Sequence, residues 1–220
     1  MVMEYIDGEI VSNAWNSLDT ATKSGISTQI GQMIETLRSI PSSGYYGRIH
    51  FQPFPSTFNL LHMDYRKEFG PYTNYEDFIN AIHDTIENNC YTGIRDVPEM
   101  YTEKFMILSY MKDAFMKCSG KEPCLTSLDV KLENMMVKRT VSENGSTDYE
   151  LIFIDWQHLG WVPAWLGSSL LPLDEGNSEK AYPYNDKDLL NFNVMKEISS
   201  FQYGESLWVS RVLPIFYMWW

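Results

Sequence analysis

Several common kinds of site lack their raw material in this sequence. Cysteine is scarce: Cys90, Cys118 and Cys124 are an odd number with no C-x-x-C, which favours reduced thiols in the cytosol. Cys118 and Cys124 flank a Gly-Lys-Glu-Pro turn and read as buried or inert thiols, not nucleophiles. Four histidines (His50, His62, His83, His158) are spread out with no ligand spacing among them, and neither H-E-x-x-H nor G-x-S-x-G occurs. Positive charge is short, with 17 basic against 29 acidic residues and a net charge of −12. Binding to a nucleic-acid backbone needs a basic face, so no nucleic-acid partner is expected. No run of 18 apolar residues exists, so no membrane span and no membrane partner are expected. Glu4, Asp7 and Glu9 stand where a signal peptide would carry basic residues, and a cytoplasmic location follows as the expectation.

What is present suits a packed domain. The chain is 44% apolar and 15% aromatic over 220 residues. A chain of this length buries roughly 70% of its unfolded surface. No internal repeat, low-complexity tract or linker interrupts it. Residues 1–6 read as a short buried strand ended by Asp7-Gly8. Ile26, Ile30, Ile34 and Leu37 recur at helical spacing, which predicts a helix over 18–40 stopped by Pro41. Residues 42–71 are rich in Gly, Pro and aromatics without a period and predict a long loop. Thr73-Asn74-Tyr75-Glu76 has the form of a capping box for a helix burying Phe78, Ile82 and Ile86. A further helix is expected over 99–117, with Phe105, Leu108, Met111 and Phe115 inward.

The pattern then changes to strands. Residues 124–128 read as extended, and 135–141 and 149–154 as a hairpin around Asn144-Gly145, a strong turn signal. An irregular stretch and a helical aromatic tail are expected after Trp165. The fold class this predicts is α+β, mainly α.

Four Asp/Asn pairs have the D-x-x-x-x-N spacing of a kinase catalytic loop, where random placement gives about one. Asp84/Asn89, Asp186/Asn191 and Asp188/Asn193 fall in or beside helical patterns. Only Asp129/Asn134 follows an extended segment and leads into a hairpin. A hairpin centred on Asn144-Gly145 sets Asn134 opposite Asp155. An Asp after the apolar run Leu151-Ile152-Phe153-Ile154 is costly unless it has a partner. Two such oxygens can share a hard cation such as Mg²⁺, which takes one or two carboxylates plus substrate phosphates. Capping of the hairpin is the competing explanation.

Residues 128–137, from Leu128 and Asp129 through Asn134, followed by Ile154-Asp155-Trp156 and Gly160-Trp161, resemble the aminoglycoside phosphotransferase/choline kinase-like family, particularly its fungal members. The opening Val2 to Glu9, Gly47-Arg48-Ile49 and Gly70-Pro71-Tyr72 stand in the order that family has. The resemblance implies that 1–220 is a protein-kinase-like C-terminal lobe with the site on a β-hairpin. Residues 1–9 would then be a hinge-like strand whose Glu4, Tyr5 and Ile6 hold adenine. It also implies Asp129 as catalytic base, Asn134 and Asp155 as Mg²⁺ ligands, and Lys131 on the phosphates of ATP. The activity implied is phosphoryl transfer to a hydroxyl of a small-molecule acceptor.

The chain also departs from the pattern. Ser127 and Leu128 stand at the family's His and Gly before the Asp, Gln157 at its Glu, and Lys131 at a residue commonly His. No two of the 13 glycines are separated by one residue, so there is no G-x-G, and no V-A-I-K-like strand occurs. The resemblance thus omits the N-terminal lobe, and a catalytically dead binding or scaffold module is the alternative reading. Trp156, Trp161 and Trp165 are read as core residues, with a sugar or cation pocket as the other possibility.

Overall fold

A computed structural model describes residues 5–54, 69–93, 98–141 and 147–169. Met1 to Glu4, the turn around Asn144-Gly145, the tail and both of its Asp/Asn pairs lie outside the described residues. The elements in order are strand β1 (Glu9–Ile10), helices α1 (Val11–Ala14) and α2 (Thr20–Arg38), strand β2 (Gly47–Arg48), helices α3 (Tyr75–Gly93) and α4 (Pro98–Lys117), strands β3 (Pro123–Ser127), β4 (Met135–Val141), β5 (Thr147–Phe153) and β6 (Leu159–Pro163), and helix α5 (Ala164–Ser169). The fold is mixed α/β, with two small antiparallel sheets ordered β1-β4-β5 and β2-β6-β3.

Helix α2 forms where the isoleucine period places it, burying Ile26, Ile30 and Ile34. It ends at Arg38, before Pro41, because the residue preceding a proline is driven out of the α region. Its first turn is capped by Asp19, whose carboxylate accepts the Thr22 N–H at 2.8 Å. That bond favours the ionised form and holds the Asp19 carboxyl below its ordinary value. The cap therefore stabilises the fold above the unfolded carboxyl value of about 3.9 and is lost as pH falls through the lower folded value. Asp19→Ala is expected to lower the melting temperature at neutral pH, with the gap to wild type closing as the pH approaches 3. Asp19→Asn keeps the cap and loses that pH dependence. Melting curves between pH 7 and 2.5 check both.

Helix α3 is capped one residue later than its sequence suggests. Asn74 Oδ1 accepts the Asp77 N–H at 2.8 Å and Asn74 Nδ2 donates to Asp77 Oδ2 at 2.6 Å. Asn outranks Thr as an N-cap, so the reciprocal pair is Asn74/Asp77 and not Thr73/Glu76. Phe78, Ile79 and Ile82 of α3 and Met111 and Phe115 of α4 are buried together.

Two expectations are corrected. Tyr5 to Gly8 form no strand, and Tyr5 is 86% exposed. Among the described residues, pairing with β4 begins after Gly8, with Glu9 opposite Val137 and Ile10 opposite Met136. A Cβ at Gly8 would sit 2.9 Å from the Val137 carbonyl oxygen, so only glycine lets the chain come this close to β4. The described parts of the expected loop, residues 42–54 and 69–71, are also paired in places, and residues 55–68 lie outside the described residues. Gly47 pairs with Trp161 and Arg48 with Gly160, while single bridges join Tyr46 to Tyr72 and Phe54 to Phe69. Single bridges impose no period of two, which is why the sequence pattern misses them.

Two cores result. Under the first sheet, Ile26, Ile30 and Ile34 of α2 pack on Val11, Trp15, Leu132, Met135 and Val137. The second core is aromatic, built on Phe54, Phe69, Phe78, Phe115 and Trp165. Arg38 ties α2 to the second sheet, its guanidinium donating to Thr126 Oγ1 and to the Ala164 carbonyl.

Candidate functional site

Beside the passage from β1 to β2 through α1 and α2, two short crossings carry the chain from one sheet to the other. The first leaves β3 at Ser127, passes Leu128 to Lys131, and enters β4 through a 3₁₀ turn, Leu132–Asn134. The second leaves β5 at Phe153 and reaches β6 through Ile154, Asp155 and a 3₁₀ turn, Trp156–His158. Backbone bonds tie the crossings together: Leu128 N–H donates to the His158 carbonyl at 3.0 Å, and Ile154 N–H to the Asn134 carbonyl at 2.9 Å. Asp129, Lys131, Asn134, Asp155 and His158 all lie on these two segments.

Asp129 is the centre of the cluster. Its Oδ2 accepts from Asn134 Nδ2 at 2.8 Å and faces Lys131 Nζ at 2.8 Å. His158 Nδ1 stands 3.7 Å from the same oxygen, beyond hydrogen-bond range. Among the described residues, no hydrogen bond or ion pair is made to Oδ1. Burial pushes the Asp129 carboxyl up, but the hydrogen bonds from Lys131 and Asn134 and the nearby charge of Lys131 outweigh it. The net effect holds Asp129 below its ordinary value. It is therefore an ionised acceptor at neutral pH, fixed on one oxygen and free on the other.

Asn134 is buried, and its amide nitrogen is committed to Asp129, donating also to the Asp129 carbonyl at 3.0 Å. Only an amide nitrogen can donate to these two acceptors, so the amide oxygen is the atom left for a ligand. Asp155 is exposed, and its Oδ2 accepts from Gln157 Nε2 at 3.3 Å. Its backbone is left-handed, at φ 61° and ψ 62°, a region non-glycine residues enter at a cost.

No protein-family model matches the chain, and no curated protein matches it.

The structure thus brings Asp129, Lys131 and Asn134 into contact and places Asp155 on the facing crossing. The register differs from the expected one. Met135 pairs with Phe153 and Val141 with Thr147, so Asn134 stands opposite Ile154 and Asp155 follows one residue on. Five residues, 142–146, join the strands, and an odd number centres the hairpin on a residue, not on the Asn144-Gly145 bond. Glu4 lies outside the described residues. Tyr5 and Ile6 share no described hydrogen bond or ion pair with the cluster.

Two of the three tryptophans, Trp161 and Trp165, are buried as core residues, while Trp156 is 41% exposed beside Asp155. Cys118 is buried, and burial pushes the Cys124 thiol up, which disfavours the thiolate a nucleophile needs. No helix among the described residues is long and apolar enough to cross a membrane.

Sequence reasoning missed two groupings. His158 approaches Asp129 only because the crossings are adjacent, and no local spacing signals that. On α3, ligand atoms of His83, Asp84 and Glu87 lie within 4.8 Å of one another. The H-D-x-x-E spacing was available as a signal, but comparing histidines only with histidines passes over it.

Proposed function

We propose that this chain is the C-terminal lobe of a protein-kinase-like small-molecule phosphotransferase, with ATP as donor and an alcohol group as acceptor. The single observation that carries the reading is the grip on Asp129, held at Oδ2 by Asn134 and Lys131 with Oδ1 left open. A carboxylate so fixed orients an acceptor hydroxyl and takes its proton as the oxygen bonds to the terminal phosphorus of ATP and the bond to the bridging oxygen breaks. Asn134 Oδ1 and the Asp155 carboxylate are a hard, all-oxygen donor set with one full charge, which suits Mg²⁺ shared with substrate phosphates. Mg²⁺ held there would neutralise charge on the transferring group. Lys131, 39% exposed at its side chain, can turn from Asp129 to a phosphate.

A catalytically dead binding module of the same fold is favoured by one observation, the absence of G-x-G and of a V-A-I-K-like strand in the sequence. Thermal melting and turnover of the full chain separate the readings. Mg·ATP is expected to raise the melting temperature, and ATP with a chelator to raise it less. Release of ADP on adding hydroxyl acceptors supports the enzyme. A shift without turnover supports the binding module, and an unchanged melting curve sinks both nucleotide readings.

A further inference from the structure

Asp129 Oδ2 has one more neighbour than it can serve. A carboxylate oxygen offers two lone-pair sites, and Asn134 Nδ2 and Lys131 Nζ fill both at 2.8 Å. His158 Nδ1 is the third group, 3.7 Å away, buried, and without a hydrogen-bond partner. A buried ring nitrogen with no partner is costly, and native structures rarely keep one without a reason. The His158 backbone is fixed by the bond from Leu128 N–H to its carbonyl, so the ring is held beside Asp129 by the sheet crossings themselves. The charged group facing the ring is Asp129, whose Oδ2 is also paired with Lys131; Asp155 is three residues back on the same crossing.

We infer that His158 is a positioning residue held in reserve, whose Nδ1–H takes the place of Lys131 on Asp129 Oδ2 when Lys131 turns to a phosphate. Without such a replacement, moving Lys131 would leave Asp129 held by Asn134 alone and free to rotate. With it, Asp129 keeps two donors on Oδ2 throughout, and Oδ1 stays aimed at the acceptor hydroxyl. Lys131 can then serve as a phosphate ligand without loosening the base. The purpose of this hand-over rests on the phosphotransferase reading, but its geometry does not.

The test is nitrogen NMR on the full chain labelled with ¹⁵N-histidine, with His158 assigned by comparison with His158→Asn. Lys131→Met removes the competing donor at an exposed side chain. The His158 Nδ1 resonance is expected to move to the protonated, hydrogen-bonded range in Lys131→Met and to return in Lys131→Met/Asp129→Ala. An Nδ1 resonance identical in wild type and Lys131→Met overturns the inference. Where turnover is measured, the Asn Nδ2 atom occupies the Nδ1 position while the Gln Nε2 atom lies one bond further out. His158→Asn is thus expected to keep kcat within about threefold, and His158→Gln and His158→Phe to lower it at least tenfold with KM for ATP unchanged. Equal kcat in all three also overturns it. An NMR shift in a protein with no turnover would instead retain the Asp129–His158 pair and remove the enzymatic reading.

Discussion

Asp155→Asn is expected to abolish both the Mg·ATP-induced rise in melting temperature and turnover, while leaving the melting temperature without ligand unchanged. The separation of the two effects follows from where Asp155 sits. Its side chain is exposed and makes one long hydrogen bond, to Gln157, so the fold draws little from it. Its backbone is left-handed, which costs most residues roughly 1–2 kcal/mol but is tolerated best by Gly, Asn and Asp. Asn therefore keeps the backbone and deletes the charge, and stability stays within about 0.5 kcal/mol. Gly relieves the strain but loses a similar amount, about 0.5–1 kcal/mol, to its freer unfolded chain. Asp155→Val lacks both compensations and is expected to destabilise by about 1–2 kcal/mol. Loss of the one full charge in the donor set is expected to reduce turnover at least about 10²- to 10³-fold, the scale seen when a single group that stabilises transition-state charge is removed. Differential scanning fluorimetry with and without Mg·ATP, run beside a turnover assay, checks the set. If Asp155→Asn melts as wild type does and still responds to Mg·ATP, the residue does not hold the metal.

That one residue also shows how far the sequence reaches. Asp129 and Asn134 were legible as a pair from spacing together with the extended segment before them and the hairpin after, because their contact is local, made across a single 3₁₀ turn. The helices were legible because isoleucines and aromatics repeat at their period, and the hairpin because strand-forming runs flank a turn signal. Register was not legible. It depends on the number of residues joining the strands, and a slip of one moves Asp155 from a position opposite Asn134 to one past it. The opening strand is not seen at its described end. Tyr5 and Ile6 have strand-forming side chains, yet they form no strand, Tyr5 is exposed and described pairing with β4 starts at Glu9, because composition does not say which residues find a partner edge; Met1 to Glu4 lie outside the described residues. His158 was the hardest to see. Nothing near it in sequence distinguishes it from a structural histidine, and its approach to Asp129 follows from two crossings lying side by side.

The largest loss of stability is expected at Trp165, far from that cluster in sequence logic but joined to it through β6, which runs from beside His158 to the start of α5. Trp165 is almost fully buried, stacked on Phe115 with ring centroids 4.9 Å apart and an interplanar angle of 14°. Its Nε1–H donates to the Tyr75 hydroxyl at 3.0 Å, and that hydroxyl donates to the Phe115 carbonyl at 2.6 Å. Burial pushes the Tyr75 phenol above its ordinary value, so it is a neutral donor at neutral pH. Trp165 thus joins α3, α4 and α5 by stacking and by a two-step hydrogen-bond chain. Trp165→Ala deletes both and opens a cavity, and is expected to cost about 3–5 kcal/mol. Trp165→Phe keeps the stacked ring and removes one donor, so the loss should be smaller, near the ~0.5–1.5 kcal/mol of a hydrogen bond plus the unfilled volume. Urea unfolding, read as a change in midpoint at constant slope, measures both. The pair of variants also decides between a structural and a ligand-lining tryptophan. A core residue loses stability in the order Ala, Phe, wild type and leaves the Mg·ATP increment of Trp165→Phe intact. A pocket residue would lose that increment in Trp165→Phe at unchanged stability.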